Sequence, residues 1–233
     1  MSRALLAIAR EPGDERALAR SACQACVAGA DVDGAAMSVL TASAFDETLS
    51  ATDPTAATLE ELQFTLGEGA CIDAASSGRP VLVPDVHDHV LTRRWPVFAA
   101  AVAEQTDVRA LFALPMQLGS INLGVIDLYR TSPGPLRGHE LRDIVAATDS
   151  IARLLLAAQL RTDDDDGGPG RDDPADDRAE VHQATGMVLA QLDIPAPDAL
   201  VRLRAYAFAH DRPLIAVARD VVARRLVFTE DME

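Results

Sequence analysis

The sequence predicts an α+β domain, an antiparallel sheet with flanking helices, followed by a small all-α bundle of three helices. Three observations carry that division. Residues 1–160 mix helical and strand periodicities, and two long apolar runs, VRALFALPM and NLGVIDLY, lie on either side of the turn Gly119-Ser120. Residues 161–177, RTDDDDGGPGRDDPADD, hold eight acids and two arginines around a central Gly-Gly-Pro-Gly. Residues 178–228 then carry three short helical patterns, and residues 229–233 form a tail. Helices segregated around an antiparallel sheet define the α+β class. The acidic stretch lacks the apolar surface needed to fold and reads as an exposed, self-repelling, disordered linker.

Taken in order, Asp14 to Gly29 has helical spacing, with Leu18, Ala22, Cys26 and Val27 along one face. Ala35–Thr41 reads as a strand and Thr48–Ala51 as a second, short one. Thr55–Gln63 is helical and ends at the turn Gly67-Glu68-Gly69; Cys71–Ser77 is a short helix stopped by Gly78. Pro80–Val83 is a strand, Pro96–Gln105 a helix, and Val108–Met116 with Asn122–Tyr129 an antiparallel hairpin. Gly138–Leu160 closes the domain as an amphipathic helix, with Leu141, Ile144, Val145, Ile151, Leu154 and Leu155 at helical spacing. Beyond the linker, Asp172, Asp173 and Pro174 give a helix start, and Val181, Ala184, Val188 and Leu192 form its inward stripe. Pro197 opens a second helix through Ala209, with Leu200, Leu203, Tyr206 and Ala207 inward. Asp211 is placed to cap a third, with Leu214, Val217, Ala218, Val221 and Val222 inward.

Composition narrows the function. The chain carries a net charge of −15, and every basic residue is arginine. Residues 1–160, 161–177 and 178–233 contribute −8, −6 and −1, yet residues 178–228 hold seven arginines against five acids. The last module is thus mildly basic once its acidic ends are set aside. No apolar run reaches the roughly 18 residues that span a bilayer. The opening MSRALLAIAREPGDERALAR breaks its apolar run with charge too early for a signal peptide, so a cytoplasmic location is expected. Three cysteines make no disulfide framework. Cys23 and Cys26 lie inside a helix, where buried packing is the expected role, and three thiols alone do not close a zinc site. The cluster Asp85, His87, Asp88, His89 fits no defined metal motif, so no metal is expected. No Ser-His-Asp set, phosphate loop or paired catalytic carboxylates stand out, and no catalytic residue is assigned.

Glu68, Asp73 and Asp85 sit in turns or at helix starts, where a carboxylate caps backbone amides. Asp127 alternates with Ile126 and Leu128, so it points to the opposite sheet face, into a pocket or into solvent. In VHQATGMVLAQL, Thr185 and Gly186 weaken a helix at its centre; glycine there costs about 1 kcal/mol against alanine. Gly186 lies off the inward stripe, and a missing side chain leaves backbone open to close approach. The polar surroundings are His182, Gln183 and Thr185, with Arg202, Arg204, Arg212, Arg219, Arg224 and Arg225 on the following helices. Such arginines are either a solvated face or a surface for a phosphate backbone.

Several stretches of the first domain resemble the GAF sensor family: LGEGACIDAASSGRPVLVPDV (66–86), RRWPVFAAAV (93–102) and ALFALPMQLGSINLGVIDLYR (110–130). The resemblance implies a pocket over one sheet face for a small-molecule effector. On this chain that pocket draws on Glu68, Cys71, Asp73, Asp85, Phe98 and Asp127. It also implies a homodimer formed through terminal helices. The order QATGMVLAQLDIPAPDALVRLRAYAFAHDRPLIAVARDVV resembles the ANTAR domain, an RNA-binding module of transcription antiterminators. That resemblance implies binding to paired hairpins of a leader transcript, through Gln183, Ala184, Thr185, Gly186, Arg202, Arg204, Tyr206 and Arg212. Thr185 stands where the family usually has lysine. Together the halves imply a signal-responsive antiterminator. The competing expectations are a sensor whose helical tail binds protein, and a cysteine-dependent methionine sulfoxide reductase using Cys23, Cys26 and Cys71.

Overall fold

The structure, a computed structural model, describes residues 14–40, 46–119, 121–164 and 177–229. They divide into two compact units, each taken by itself. The first unit opens with α1 (Glu15–Gly29), capped by Asp14, whose carboxylate accepts from the Ala17 amide at 2.7 Å. Strands β1 (Gly34–Leu40) and β2 (Asp46–Ala51) follow, then α2 (Pro54–Leu66), α3 (Ala70–Ser77) and β3 (Val81–Val83). The short α4 (His89–Arg94) leads into α5 (Pro96–Gln105), the hairpin β4 (Ala110–Leu118) and β5 (Ile121–Arg130), and α6 (Gly138–Asp164). The five strands lie in the order β2-β1-β5-β4-β3, and every neighbouring pair is antiparallel.

Side chains alternate across a strand, and here both faces of the sheet are covered. One face presents Met37, Phe112, Leu114, Ile126 and Leu128 to Cys23 and Cys26 of α1 and to Ile144, Ile151 and Leu155 of α6. The other presents Ala36, Leu111, Ala113 and Val125 to Leu59 of α2, Cys71 of α3 and Phe98 and Val102 of α5. Double coverage is the reason β4 and β5 read as nearly unbroken apolar runs. It also decides the orientation of Asp127, which is 4% exposed and lies beneath the α2–α3 side. Of the two directions open to it, solvent is excluded.

Two readings of this unit change. The sequence of VPDVHDHV reads as loop, but its last two residues, His89 and Val90, enter α4. The closing helix continues to Asp164, four residues into the stretch read as linker.

In the second unit, α7 (Asp177–Leu192), α8 (Ala196–Ala209) and α9 (Leu214–Val222) bury Val181, Ala184, Val188, Leu200, Leu203, Ala207, Leu214, Val217, Ala218 and Val221. The helix start placed at Asp172, Asp173 and Pro174 lies outside the described residues. Each helix ends on a residue in the left-handed region: Asp193 (φ 51°), Asp211 (φ 51°) and Arg224 (φ 55°). The next amide in each case reaches back five residues: Ile194 to Leu189, Arg212 to Ala207, and Arg225 to Asp220. These bonds satisfy carbonyls that the helix ends would leave unpaired. Asp211 therefore closes α8; it does not cap α9, whose N-cap is Pro213 with no side-chain bond. After α9 the chain returns over the bundle. The Phe228 amide donates to Gln191 Oε1 at 2.9 Å, and its ring is buried against Tyr206.

Candidate functional sites

The first candidate site lies beneath the sheet of the first unit, where polar groups collect inside an apolar core. Helix α2 buries Ala56, Leu59, Glu60, Gln63 and Phe64. Positions 56, 59, 60 and 63 share one helical face, so Glu60 and Gln63 take places that packing alone would give to leucine. Asp127 of β5, Ser38 of β1 and Cys71 of α3 meet them from the other elements. Gln63 Nε2 donates to Asp127 Oδ2 at 3.0 Å, and Gln63 Oε1 accepts from the Cys71 amide at 2.7 Å. Ser38 Oγ donates to Glu60 Oε2 at 2.8 Å, with Thr48 Oγ1 on the same oxygen at 3.2 Å. Gly69, at φ 128°, makes this approach possible, because a Cβ there would lie 2.5 Å from Gln63 Oε1.

Each buried carboxylate thus has one oxygen held by donors; Glu60 Oε1 and Asp127 Oδ1 have no fixed donor, and the Glu60 carboxyl and the Cys71 thiol reach Asp127. Burial, and then the neighbouring Glu60 carboxylate, push the Asp127 carboxyl well above its ordinary range. The charged form of Asp127 is thereby disfavoured. The thiols of Cys23 and Cys26 are also raised by burial, Cys26 to about 11.

The other expected pocket residues do mechanical work. Glu68 Oε2 accepts from the Val97 and Phe98 amides at 3.1 and 3.0 Å and so caps α5. Asp73 binds Trp95 Nε1 at 3.1 Å and the Arg94 guanidinium at 2.5 Å, tying α3 to the α4–α5 junction. Asp85 accepts from the His87 amide at 3.0 Å and from Arg109; those bonds hold its carboxyl below the usual range. Phe98 is core, 2% exposed. The structure therefore brings Cys71 and Asp127 together and leaves Glu68, Asp73, Asp85 and Phe98 as staples around them. His87, Asp88 and His89 are exposed, and among the described residues only Glu60, Cys71 and Asp127 converge as three possible metal donors.

The second candidate site is the surface of the helical unit. Gln183 and Gly186 are exposed on α7, and a Cβ built on Gly186 would meet nothing within 4 Å. Packing within the bundle does not account for that glycine. Ala184 and Thr185 are different: both are buried, and Thr185 Oγ1 donates to the Val181 carbonyl at 2.7 Å. Their side chains face the core, which corrects the expectation that they touch RNA. Arg202 is exposed and Arg204 half-buried on α8. Arg212 gives its guanidinium to Asp220 at 2.6 Å and to the Ala216 carbonyl. Arg225 also binds Asp220, and Arg219 binds Glu180. Tyr206 stacks on His210 with centroids 3.9 Å apart, so its ring is already engaged. Phe208, which sequence reasoning passed over, is 76% exposed and shares a face of α8 with exposed Val201 and Ala205.

The sequence model of the GAF domain family matches residues 14–155, more than half of the chain. The chain belongs to the GAF family. The ANTAR domain model matches residues 174–222. No curated protein matches. Among solved structures, the GAF domain of the Acinetobacter phosphoenolpyruvate-protein phosphotransferase is 12% identical with a TM-score of 0.55, covering 72% of this chain and 94% of that one. A domain of a two-component sensor histidine kinase protein from Sinorhizobium meliloti 1021 is 10% identical with a TM-score of 0.53, covering 65% and 96%. The corresponding GAF domain from Coxiella burnetii is 13% identical with a TM-score of 0.50, covering 69% and 97%. At such identities the likeness concerns the fold alone. No described helix is long and apolar enough to cross a membrane.

Within this GAF domain the residues that sequence reasoning missed are Glu60, Gln63, Ser38 and Thr48. A signal for the first two was present: TLEELQF places both on the stripe begun by Ala56 and Leu59. In the ANTAR unit the missed residue is Phe208, whose spacing from Val201 marks a second apolar stripe behind Leu200, Leu203 and Ala207.

Proposed function

We propose that this GAF–ANTAR protein is a signal-responsive transcription antiterminator. In this reading the ANTAR unit of a homodimer holds paired hairpins of a leader transcript, and the GAF unit controls that binding. The observation that carries it is Gly186: a glycine at the centre of α7, solvent-exposed and without a neighbour to require it. A helix that accepts a cost of about 1 kcal/mol with no packing return is suited to close approach by a partner's backbone. Gln183 beside it and Arg202 on α8 supply donors for phosphate oxygens. We read the chain as a cytoplasmic regulator and not a catalyst. A thiol-dependent reductase requires accessible thiolates, and burial holds Cys23 and Cys26 protonated.

The test is filter binding of the full chain to a two-hairpin leader RNA across a range of salt. Phosphate contacts make the logarithm of affinity fall linearly with that of salt, by about 0.7–0.9 per phosphate neutralised. Binding that weakens steeply with salt is expected; no binding at low salt would overturn the reading. The exposed Val201 and Phe208 favour one rival, a protein partner for the same helices. That rival predicts an apolar association that salt does not weaken.

A further inference from the structure

From the cluster under the sheet we infer a binding site for a divalent transition-metal ion in the GAF unit, with Glu60 Oε1, Asp127 Oδ1 and Cys71 Sγ as its protein donors. The donor atoms of these three buried residues all lie within 4.8 Å of one another. In a four-coordinate site with bonds of about 2.0–2.3 Å, donors stand about 3.3–3.7 Å apart. Closing onto an ion therefore needs shifts of about an ångström or less.

Three features separate this arrangement from a chance group of acids. Glu60 and Asp127 are each 4% exposed, so neither is a solvated surface carboxylate. Glu60 Oε1 and Asp127 Oδ1 have no fixed donor, and the groups that reach Asp127 there are the Glu60 carboxyl and the Cys71 thiol, the other two members of the set. Most telling is how the other oxygens are held. Ser38 and Thr48 fix Glu60 Oε2, and Gln63 fixes Asp127 Oδ2 while its own carbonyl holds the Cys71 backbone. Metal ligands are oriented by outer hydrogen bonds of this kind, which leave one lone-pair face of each ligand directed at the ion. Ser38 Oγ, which holds Glu60 Oε2, also lies 3.8 Å from Cys71 Sγ.

The donor set selects the ion. One sulfur and two carboxylate oxygens suit a borderline divalent ion such as Zn²⁺, Fe²⁺ or Co²⁺. Mg²⁺ and Ca²⁺ take oxygen ligands and have no use for the thiol. An ion takes its ligands as carboxylate and thiolate, so its binding releases the protons that Asp127 and the Cys71 thiol hold without it. The sequence expectation of no metal rests on the number of cysteines and on the cluster Asp85, His87, Asp88, His89. The carboxylates that complete this set arrive from α2 and β5, far apart in the chain. Nothing in the inference depends on RNA.

The experiment is addition of Co²⁺ to the reduced, metal-free full-length protein, both native and during refolding, because the site is enclosed. A thiolate–cobalt charge-transfer absorption that saturates at one ion per chain and is displaced by Zn²⁺ is expected. Cys71→Ser should abolish that absorption, and Glu60→Gln should weaken cobalt affinity at least tenfold, while the paired Cys23→Ser, Cys26→Ser variant keeps both. Circular dichroism establishes that each variant is folded; should Cys71→Ser not fold, Asp127→Asn takes its place with cobalt stoichiometry as the readout. Folded wild-type protein that takes up no cobalt by either route would overturn the site. Absorption that survives Cys71→Ser, or disappears with Cys23 and Cys26, would overturn it equally.

Discussion

A single hydrogen atom at position 186 separates two demands on α7. Replacing Gly186 by alanine adds a methyl group into open space and removes the conformational cost of glycine in a helix. The variant should unfold with a midpoint raised by the equivalent of about 1 kcal/mol. If RNA backbone lies against this spot, the same methyl should lower affinity for the two-hairpin leader. Opposite signs in a denaturation curve and a filter-binding curve are the expected pair; a gain in stability with unchanged affinity would remove Gly186 from the contact surface. Phe208 makes a parallel case on α8. At 76% exposure its ring contributes little to the core, so Phe208→Ala should leave the melting temperature nearly unchanged. Stacking of a base on an aromatic ring is worth about 1–3 kcal/mol, so affinity should fall about fivefold or more. Tyr206, already stacked on His210 and packed on Phe228, should behave in the reverse way: its loss should cost stability first.

Within the first unit, α6 exposes two apolar side chains. Val145 and Leu156 are each 37% exposed and stand eleven residues apart, three helical turns, so they share a face opposite the core residues Ile144, Ile151 and Leu155 only in part. If homodimerisation runs through this helix, Val145→Glu with Leu156→Glu should shift sedimentation toward monomer while the unit stays folded. A dimer that survives both charges would place the interface elsewhere. What the sequence disclosed at this scale follows from periodicity. The helix at Pro96–Gln105 has the expected ends, and the β4–β5 hairpin lies where its apolar runs and Gly119 put it. The inward stripes of α7 to α9 are as expected except at Leu192, Tyr206 and Val222, which are half-buried. The failures share a physical cause. In α4, His89 and Val90 read as loop because a six-residue helix has too few turns to show a period. Asp211 satisfies the rule for an N-cap, yet its place in the chain is equally the C-terminal closure of α8, and only backbone dihedrals separate the two. Glu60 and Gln63 were overlooked because charge on a helix ordinarily faces water; their burial depends on Asp127 and Cys71, which periodicity within α2 does not reach.

For the whole molecule the governing quantity is charge. A chain at −15 repels nucleic acid, and three of the seven arginines of the second unit are paired internally, Arg212 and Arg225 with Asp220 and Arg219 with Glu180. The stretch from Asp163 to Asp166 adds four negative charges next to that unit in the chain. Its field reaches about 10 Å at 0.1 M salt and about 30 Å at 0.01 M, which compares with the reach of a short linker. The acidic stretch should therefore compete with RNA for the exposed arginines, as an electrostatic screen that the GAF unit could set or lift. Changing Asp163, Asp164, Asp165 and Asp166 to asparagine removes that screen without altering side-chain size. Affinity for the leader RNA should rise at low salt, and the gain should shrink as salt increases and the wild-type acids are themselves screened. An unchanged affinity at low salt would show that these acids lie beyond reach of the RNA surface, and regulation would then rest on geometry between protomers.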